Sequence, residues 1–167
     1  GADRDETKIA FKPRNRVHVG VDLGADPGDI IIAAEDGVVD AILPFLSRRD
    51  DAGNVVEKTW GIYVRNHSGL LMNYGEVKEN SWGEFGLNRG VDLGKPVVAG
   101  QPIARVSGTK MLHLETMRPE TSIGQIRREE LQWKKGDPPP PEILDPTRYL
   151  VRAWKNKYDQ LLAKEDA

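Results

Sequence analysis

The sequence predicts a mainly β fold, a folded antiparallel sheet or sandwich, followed by one C-terminal α-helix. Several short segments alternate apolar and polar residues with the period of two that strands require, as Val17, Val19, Val21 and Leu23 do. The 17 glycines and 11 prolines separate these segments with turn signals. Only the last part of the chain changes to the helical period. Many short strands with frequent turns are typical of all-β sandwiches.

The expected strands follow one another along the chain with turns between them. Glu35–Gly37 and His67–Gly69 are expected to close hairpins, and the charged residues 47–58 are expected to form the tip of a longer one. Residues 122–141 are polar and end in consecutive prolines. Both insertions are expected to be solvated loops, with the alternative that they wall a groove. The strand segments are 17–23, 30–34, 38–45, 60–65, 70–77, 96–99, 103–106 and 111–117.

The two ends of the chain differ in character, and residues 16–150 between them form the expected domain. Residues 1–15 are polar and without periodicity, so we expect a flexible N-terminal arm. Asp145 suits an N-cap and Pro146 the first helical position, and residues 151–167 complete this helix. Its apolar face favours packing against the domain, with binding of a protein partner as the alternative. That face consists of Leu150, Trp154, Tyr158, Leu161 and Leu162.

Length, charge and composition exclude several classes of protein. The 167 residues fit one domain, and 24 basic against 26 acidic residues give a net charge of −2, which argues against nucleic-acid binding. There is no cysteine for a disulfide, a thiol nucleophile or an iron–sulfur cluster. No run approaches the roughly 18 apolar residues of a membrane span. Because the chain begins with Gly1 rather than Met, we expect that a signal peptide or anchor is missing from it.

Three side chains from two strand segments have the chemistry of a metal site. His18 and Asp22 lie four residues apart, so a period of two places both on one face, and Gly20 between them leaves that face open. In the last strand segment His113 shares a face with Glu115. If the segments are neighbours, three ligands with an open fourth position match a catalytic zinc site. The spacing also arises by chance, and a strand histidine is often a hydrogen-bonded structural residue.

Six short motifs succeed one another between residues 16 and 150. In chain order they are RVHVGVDL at 16–23 with PG at 27–28 and AAEDGVV at 33–39, GIYVRNHSG at 61–69, YGEV at 74–77, GKPVVAGQPI at 94–103, MLHLE at 111–115 and DPTRYL at 145–150. In this order they resemble the LytM-type peptidase domain, the M23 family of zinc metallopeptidases. The resemblance covers most of the chain, and the succession of motifs is more specific than any single one.

The resemblance implies both a fold and an activity. LytM-type domains are folded antiparallel sheets with a groove and a zinc ion in its floor. The family's metal ligands correspond to His18, Asp22 and His113, all of which are present. The zinc ion would polarise a peptide carbonyl and activate a bound water. Typical substrates of the family are stem peptides and cross-links of bacterial peptidoglycan, which implies a periplasmic or secreted protein.

Two positions depart from the family pattern, as in a divergent branch of the family. Family catalysis uses two further histidines where this chain has Glu76 and Met111. Met111 cannot accept a proton, whereas Glu76 suits a general base beside a zinc-bound water, and it is the expected catalytic residue. Alternatively, Glu76 is a fourth ligand that closes a structural zinc site. In the third interpretation it is a solvated residue of an inactive module that binds cell wall or a protein partner.

Several neighbours of the candidate site have two plausible roles each. Glu115 either orients a ligand histidine or pairs with an arginine. Tyr74 shares the expected face of Glu76, where it either hydrogen-bonds substrate or packs in the core. Tryptophans either line a groove or, as is usual for this residue, are buried. The tryptophans concerned are Trp60, Trp82 and Trp133.

Overall fold

Nine β-strands, a short 3₁₀ helix and one long α-helix make up the described part of the chain. The computed structural model describes residues 18–123 and 133–165; the predicted arm, residues 1–15, and part of the 122–141 insertion lie outside these ranges. Strands hold 45% of the residues and helices 18%, so the predicted mainly β class is confirmed. The elements are β1 (Val21–Gly24), β2 (Ile30–Ile32), β3 (Gly37–Arg49), β4 (Val55–Asn66), β5 (Leu71–Lys78), the 3₁₀ helix (Ser81–Phe85), β6 (Gly90–Val97), β7 (Pro102–Arg105), β8 (Met111–Met117), β9 (Ile143–Leu144) and α1 (Pro146–Glu165).

Seven strands form one antiparallel sheet in the order β1-β8-β5-β4-β3-β6, with β9 beside β8. The strands of the β3–β4 hairpin pair up to Arg49 opposite Val55, which confirms a long hairpin in this region. Only residues 50–54 form its tip, however, so the prediction that all of residues 47–58 are a loop is wrong. Its tip is a tight turn in which the Asp50 carboxylate accepts hydrogen bonds from the backbone N–H groups of Ala52 and Asn54. The predicted turn at His67–Gly69 likewise joins the paired strands β4 and β5.

The second sheet contains only β2 and β7, and it corrects one prediction. β2 pairs with β7 rather than with β3, so the hairpin predicted at Glu35–Gly37 is wrong. The chain passes there from one sheet to the other. The Asp36 carboxylate accepts a hydrogen bond from the backbone N–H of Ala99 at 2.8 Å, which ties this passage to the β6–β7 connection. The apolar side chain of Ile31 is thereby buried against the large sheet.

The main hydrophobic core lies between the two sheets. Ile31 and Ile103 of the small sheet and Trp82 of the 3₁₀ helix belong to one buried cluster with residues of the large sheet. Leu112 and Leu114 of β8 face this cluster, so His113 between them lies on the opposite face. That second face has a smaller apolar cluster formed by Ala41, Tyr63, Leu71 and Met117. The candidate site therefore lies on the face of the large sheet away from the main core.

The C-terminal helix begins as predicted but is not packed as predicted. The Asp145 carboxylate accepts a hydrogen bond from the Thr147 backbone N–H at 2.9 Å, the contact of an N-cap, and α1 begins at Pro146. Tyr149 and Leu150 pack against the core. The rest of the apolar face is exposed, with Trp154 67% accessible, so packing of this whole face against the domain is wrong. No helix in the described ranges is long and apolar enough to span a membrane.

Candidate metal centre

Three predicted ligands converge on the exposed edge of the large sheet. One ligand atom from each of His18, Asp22 and His113 lies within 4.8 Å of the others. The Nε2 atom of His18 is 3.3 Å from Asp22 Oδ2, and the Nδ1 atom of His113 is 2.7 Å from Asp22 Oδ1. The aspartate thus lies between the two imidazoles. Two imidazole nitrogens and a carboxylate oxygen at this spacing form a donor set that can hold a metal ion.

Strand pairing and one glycine bring these residues together. Asp22 of β1 lies directly opposite His113 of β8 in the antiparallel register, so their side chains are neighbours. His18 is not on a strand, contrary to the predicted alternation from residue 17, because β1 begins only at Val21. The chain bends at Gly20, whose φ is +85°. A Cβ atom there would come closer than 3.0 Å to the carbonyl oxygen of Leu114, so only glycine permits this bend against β8.

A chain of hydrogen bonds orients the buried side chain of His113. Its Nε2 atom is 2.9 Å from Glu115 Oε1, and the other Glu115 oxygen accepts a hydrogen bond of 2.8 Å from the Asn73 side chain. Glu115 therefore contacts the imidazole of His113 rather than an arginine, and it leaves Nδ1 on the side of Asp22. Burial lowers the pKa of His113, but the hydrogen bonds and charges of Glu115 and Asp22 outweigh it and raise this pKa to about 9.

The donor set fits a metal ion, and the supporting residues strengthen this conclusion. Metal-binding histidines typically donate their second ring N–H to a carboxylate or carbonyl, as His113 does to Glu115. The side chain of His113 is only 7% exposed, whereas those of His18 and Asp22 are 59% and 42% exposed. The centre is therefore anchored on its buried side and accessible to solvent on the other. Three protein ligands at an accessible position leave room for water or substrate.

Glu76 lies in a β-bulge next to this centre. Its φ is +60°, and the register between β4 and β5 shifts at this point, so Gly75 and Glu76 together oppose one residue of β4. Gly75 lies opposite His113 in the β5–β8 register, and the bulge turns the next side chain toward the same face. The prediction that Tyr74 shares the face of Glu76 is therefore wrong. Tyr74 packs in the main core, where its hydroxyl accepts a hydrogen bond from the Ala34 N–H.

The environment of Glu76 is that of a buried carboxyl group close to charges. Only 7% of the residue is exposed, and its Oε2 atom has no hydrogen-bond partner among the described residues. Burial raises the pKa of Glu76, against hydrogen bonds with Thr59 and Thr109 and the charge of His113, which lower it. The three-residue metal cluster of the described chain does not include Glu76. This arrangement disagrees with the interpretation of Glu76 as a solvated residue.

Some residues of the site were missed by sequence reasoning. Asn73 and Thr59 contact Glu115 and Glu76, and Phe45 places its ring 5.3 Å from that of His113, centroid to centroid. Asn73 had a detectable signal, because it is a polar residue between the apolar Met72 and Tyr74 of β5. Phe45 and Thr59 had none, because only the strand order β8-β5-β4-β3 brings them to the site.

The predicted groove tryptophans follow the usual preference for burial. Trp60 and Trp82 are buried, with ring centroids 4.9 Å apart. Trp133 is half-buried beside the Pro138–Pro141 segment, where its indole N–H donates to the carbonyl of Asp137. Neither contact places a tryptophan against the three candidate metal ligands.

The fold and the site together define a β-sheet protein with a candidate metal centre on one face. Among models of protein families and among curated proteins, none matches this chain. The LytM-type resemblance therefore rests on the motifs in the sequence, and it enters the function only as a proposal.

Proposed function

We propose that the protein is a zinc metallopeptidase of the LytM type that hydrolyses peptide bonds of bacterial peptidoglycan, in stem peptides or cross-links. The observation that carries the proposal is the convergence of His18, Asp22 and His113 beside a buried, incompletely hydrogen-bonded Glu76. The motif order of the LytM-type family supports the choice of substrate. A peptidoglycan substrate entails a periplasmic or secreted location.

The donor set favours zinc over the hard cations. Two imidazoles and one carboxylate suit zinc, whereas calcium and magnesium prefer oxygen ligands throughout. His18 and Asp22 would hold the ion on the solvent side, and His113, oriented by Glu115, on the buried side. When bound, zinc supplies a Lewis acid for the peptide carbonyl and lowers the pKa of a coordinated water.

Glu76 is the proposed general base. Its raised pKa brings the carboxyl closer to the neutral range in which a base both accepts and returns a proton. In the proposed reaction Glu76 takes a proton from the attacking water and delivers it to the amine of the leaving peptide. The side chains of Thr59 and Thr109 lie beside the carboxyl group and lower its pKa, against the effect of burial. Met111 leaves the chain without the second family histidine, so Glu76 acts alone in proton transfer.

The second candidate function is an inactive module that binds cell wall or a protein partner, with zinc structural or absent. The exposed apolar face of α1 favours a protein partner. Trp154 and Tyr158 stack with ring centroids 5.4 Å apart on this face, and Leu161 beside them is also exposed. Single exposed apolar residues are common, but a continuous stripe of them marks an interaction surface. We propose this face for the partner, whether or not the site is active.

The test is mass spectrometry of purified peptidoglycan after incubation with the zinc-loaded protein. We expect new muropeptide fragments from the unmodified chain and none from Glu76→Gln or His18→Ala. Glu120→Gln and His67→Ala are the matched controls, because both residues are exposed and lie outside the metal cluster. Intact folding and bound zinc without any fragment would reject the peptidase and favour the inactive module.

A further inference from the structure

The exposed face of α1 carries a regular line of apolar side chains, the apolar row. It consists of Val151, Trp154, Tyr158 and Leu161, each of which is at least 48% exposed. These residues follow one another at intervals of three, four and three, so they lie in one line along the helix. The same intervals separate the a and d positions through which one helix packs along another. The apolar row therefore has the shape of one half of a helix pair.

Basic residues border the apolar row. Arg148, Arg152 and Lys155 line a groove of about 450 Å³ in which none of the described lining residues is acidic. Val151 of the apolar row lies in the same groove, so the cations directly adjoin the row. Lys155 pairs with Asp159, its Nζ atom 2.5 Å from Oδ2, but basic residues prevail on the helix as a whole. α1 has five basic and two acidic residues, a net charge of +3 in a chain whose net charge is −2.

The charge pattern favours an acidic helix over two other occupants of this face. Lys164 follows Leu161 on the other side of the row, so two paired copies of α1 would bring basic flanks together, which weakens their binding. An anionic membrane would attract the same cations, but helices that lie on membranes present a broad and strongly apolar face. The apolar row holds roughly two residues in seven, and of the exposed apolar residues of α1 only Leu162 widens it.

We infer that α1 binds an amphipathic helix of a partner protein, whose apolar residues pack on the apolar row and whose acidic residues face Arg148 and Arg152. The inference rests on the protein partner proposed above for this face and adds its class, an acidic helix. Apolar anchors such as Trp154 supply most of the affinity in interfaces of this kind. The charges that flank the row determine which helix is accepted.

The experiment uses two designed helical peptides with Leu at every a and d position, one with Glu on both flanks and the other with Lys. Fluorescence anisotropy of the labelled peptides measures their binding to the full chain. We expect the Glu peptide to bind about tenfold more tightly than the Lys peptide, with a smaller difference at high salt. Trp154→Ala should weaken binding of the Glu peptide at least about tenfold, because it removes the largest apolar anchor. The double variant Arg148→Glu/Arg152→Glu should reverse the preference in favour of the Lys peptide.

Lys78→Glu is the matched control, because it reverses an exposed charge at the end of β5 away from α1 and leaves both affinities unchanged. Equal affinity for the two peptides, or binding of neither, would overturn the acidic helix. Binding to phosphatidylglycerol vesicles without binding of the Glu peptide would make the face a membrane surface instead. A dimer of the chain in sedimentation equilibrium that Trp154→Ala dissociates would make a second copy the occupant. Glu-peptide binding without hydrolysis of peptidoglycan would support this surface while the peptidase proposal fails.

Discussion

The Gly20→Ala substitution tests the proposed origin of the metal centre. Alanine at a φ of +85° is strained by about 1–2 kcal/mol. At this position the added Cβ would also come within 3.0 Å of the Leu114 carbonyl oxygen and of the Glu115 side chain, and 3.1 Å from His113 Nε2. Relieving such overlap typically costs a further 1–3 kcal/mol or so. We therefore expect a loss of roughly 2–5 kcal/mol in the free energy of unfolding.

A second glycine with the same backbone angle separates strain from contact. Gly53 also has a φ of +85°, but a Cβ there would meet nothing within 4 Å. Gly53→Ala should therefore show only the strain of about 1–2 kcal/mol and unchanged zinc affinity. Urea unfolding and competition with a chelating zinc indicator measure the two quantities. Equal results for Gly20→Ala and Gly53→Ala, in stability and in affinity, would refute the proposed role of Gly20.

Three further outcomes follow from the same contacts. Glu115→Gln should weaken zinc binding about 10–100-fold in the indicator competition, because His113 loses the carboxylate that orients it; unchanged affinity would contradict this role. Zinc at about 100 times its Kd should raise the free energy of unfolding by about 2.7 kcal/mol, or the Tm by roughly 5–10 °C, in calorimetry. EDTA should reverse this rise and His18→Ala should prevent it, and a rise that persists in His18→Ala would place the ion elsewhere. Trp154→Ala should change the unfolding free energy by no more than about 0.5 kcal/mol, since that side chain is 67% exposed, and a larger loss would show that α1 packs against the domain.

Local signals made most of the strands and the helix start predictable. Residues 111–117 form a strand with the predicted bounds, and Asp145 caps a helix that begins at Pro146. Alternation, turn residues and caps act within a few residues, so the sequence displays them directly. The apolar face of α1 was predictable as well. Its exposure was not, because it depends on the direction in which the helix extends away from the domain after Leu150.

Long-range pairing decided what the sequence left open. Nothing between Ile30 and Gly37 distinguishes a hairpin with β3 from a pairing with β7, more than 60 residues later. Whether β2 pairs with β3 or with β7 depends on which pairing buries Ile31, and that is decided only when the two sheets have assembled. A turn signal alone therefore predicted the wrong partner.

The ligands of the candidate site were predictable, and their geometry was not. His18, Asp22 and His113 followed from residue type and from the LytM-type resemblance, and the structure brings them together. The strand alternation used to place His18 and Asp22 on one face was nevertheless wrong. A bend at Gly20, not a regular strand, brings the two side chains together. The bulge at Glu76 was likewise not predictable from strand alternation. One extra residue in β5 places Tyr74 and Glu76 on opposite faces of the sheet, where regular alternation predicts the same face.

The accessible zinc site with three protein ligands is tested most directly by a crystal structure of the zinc-loaded protein, with anomalous data at the zinc edge. We expect one zinc ion within about 2.0–2.2 Å of a nitrogen of His18, an oxygen of Asp22 and Nδ1 of His113, with water in the fourth position. Glu76 should approach that water without binding the ion. A zinc ion ligated by Glu76 in a closed tetrahedral site, or bound away from these residues, would contradict the account.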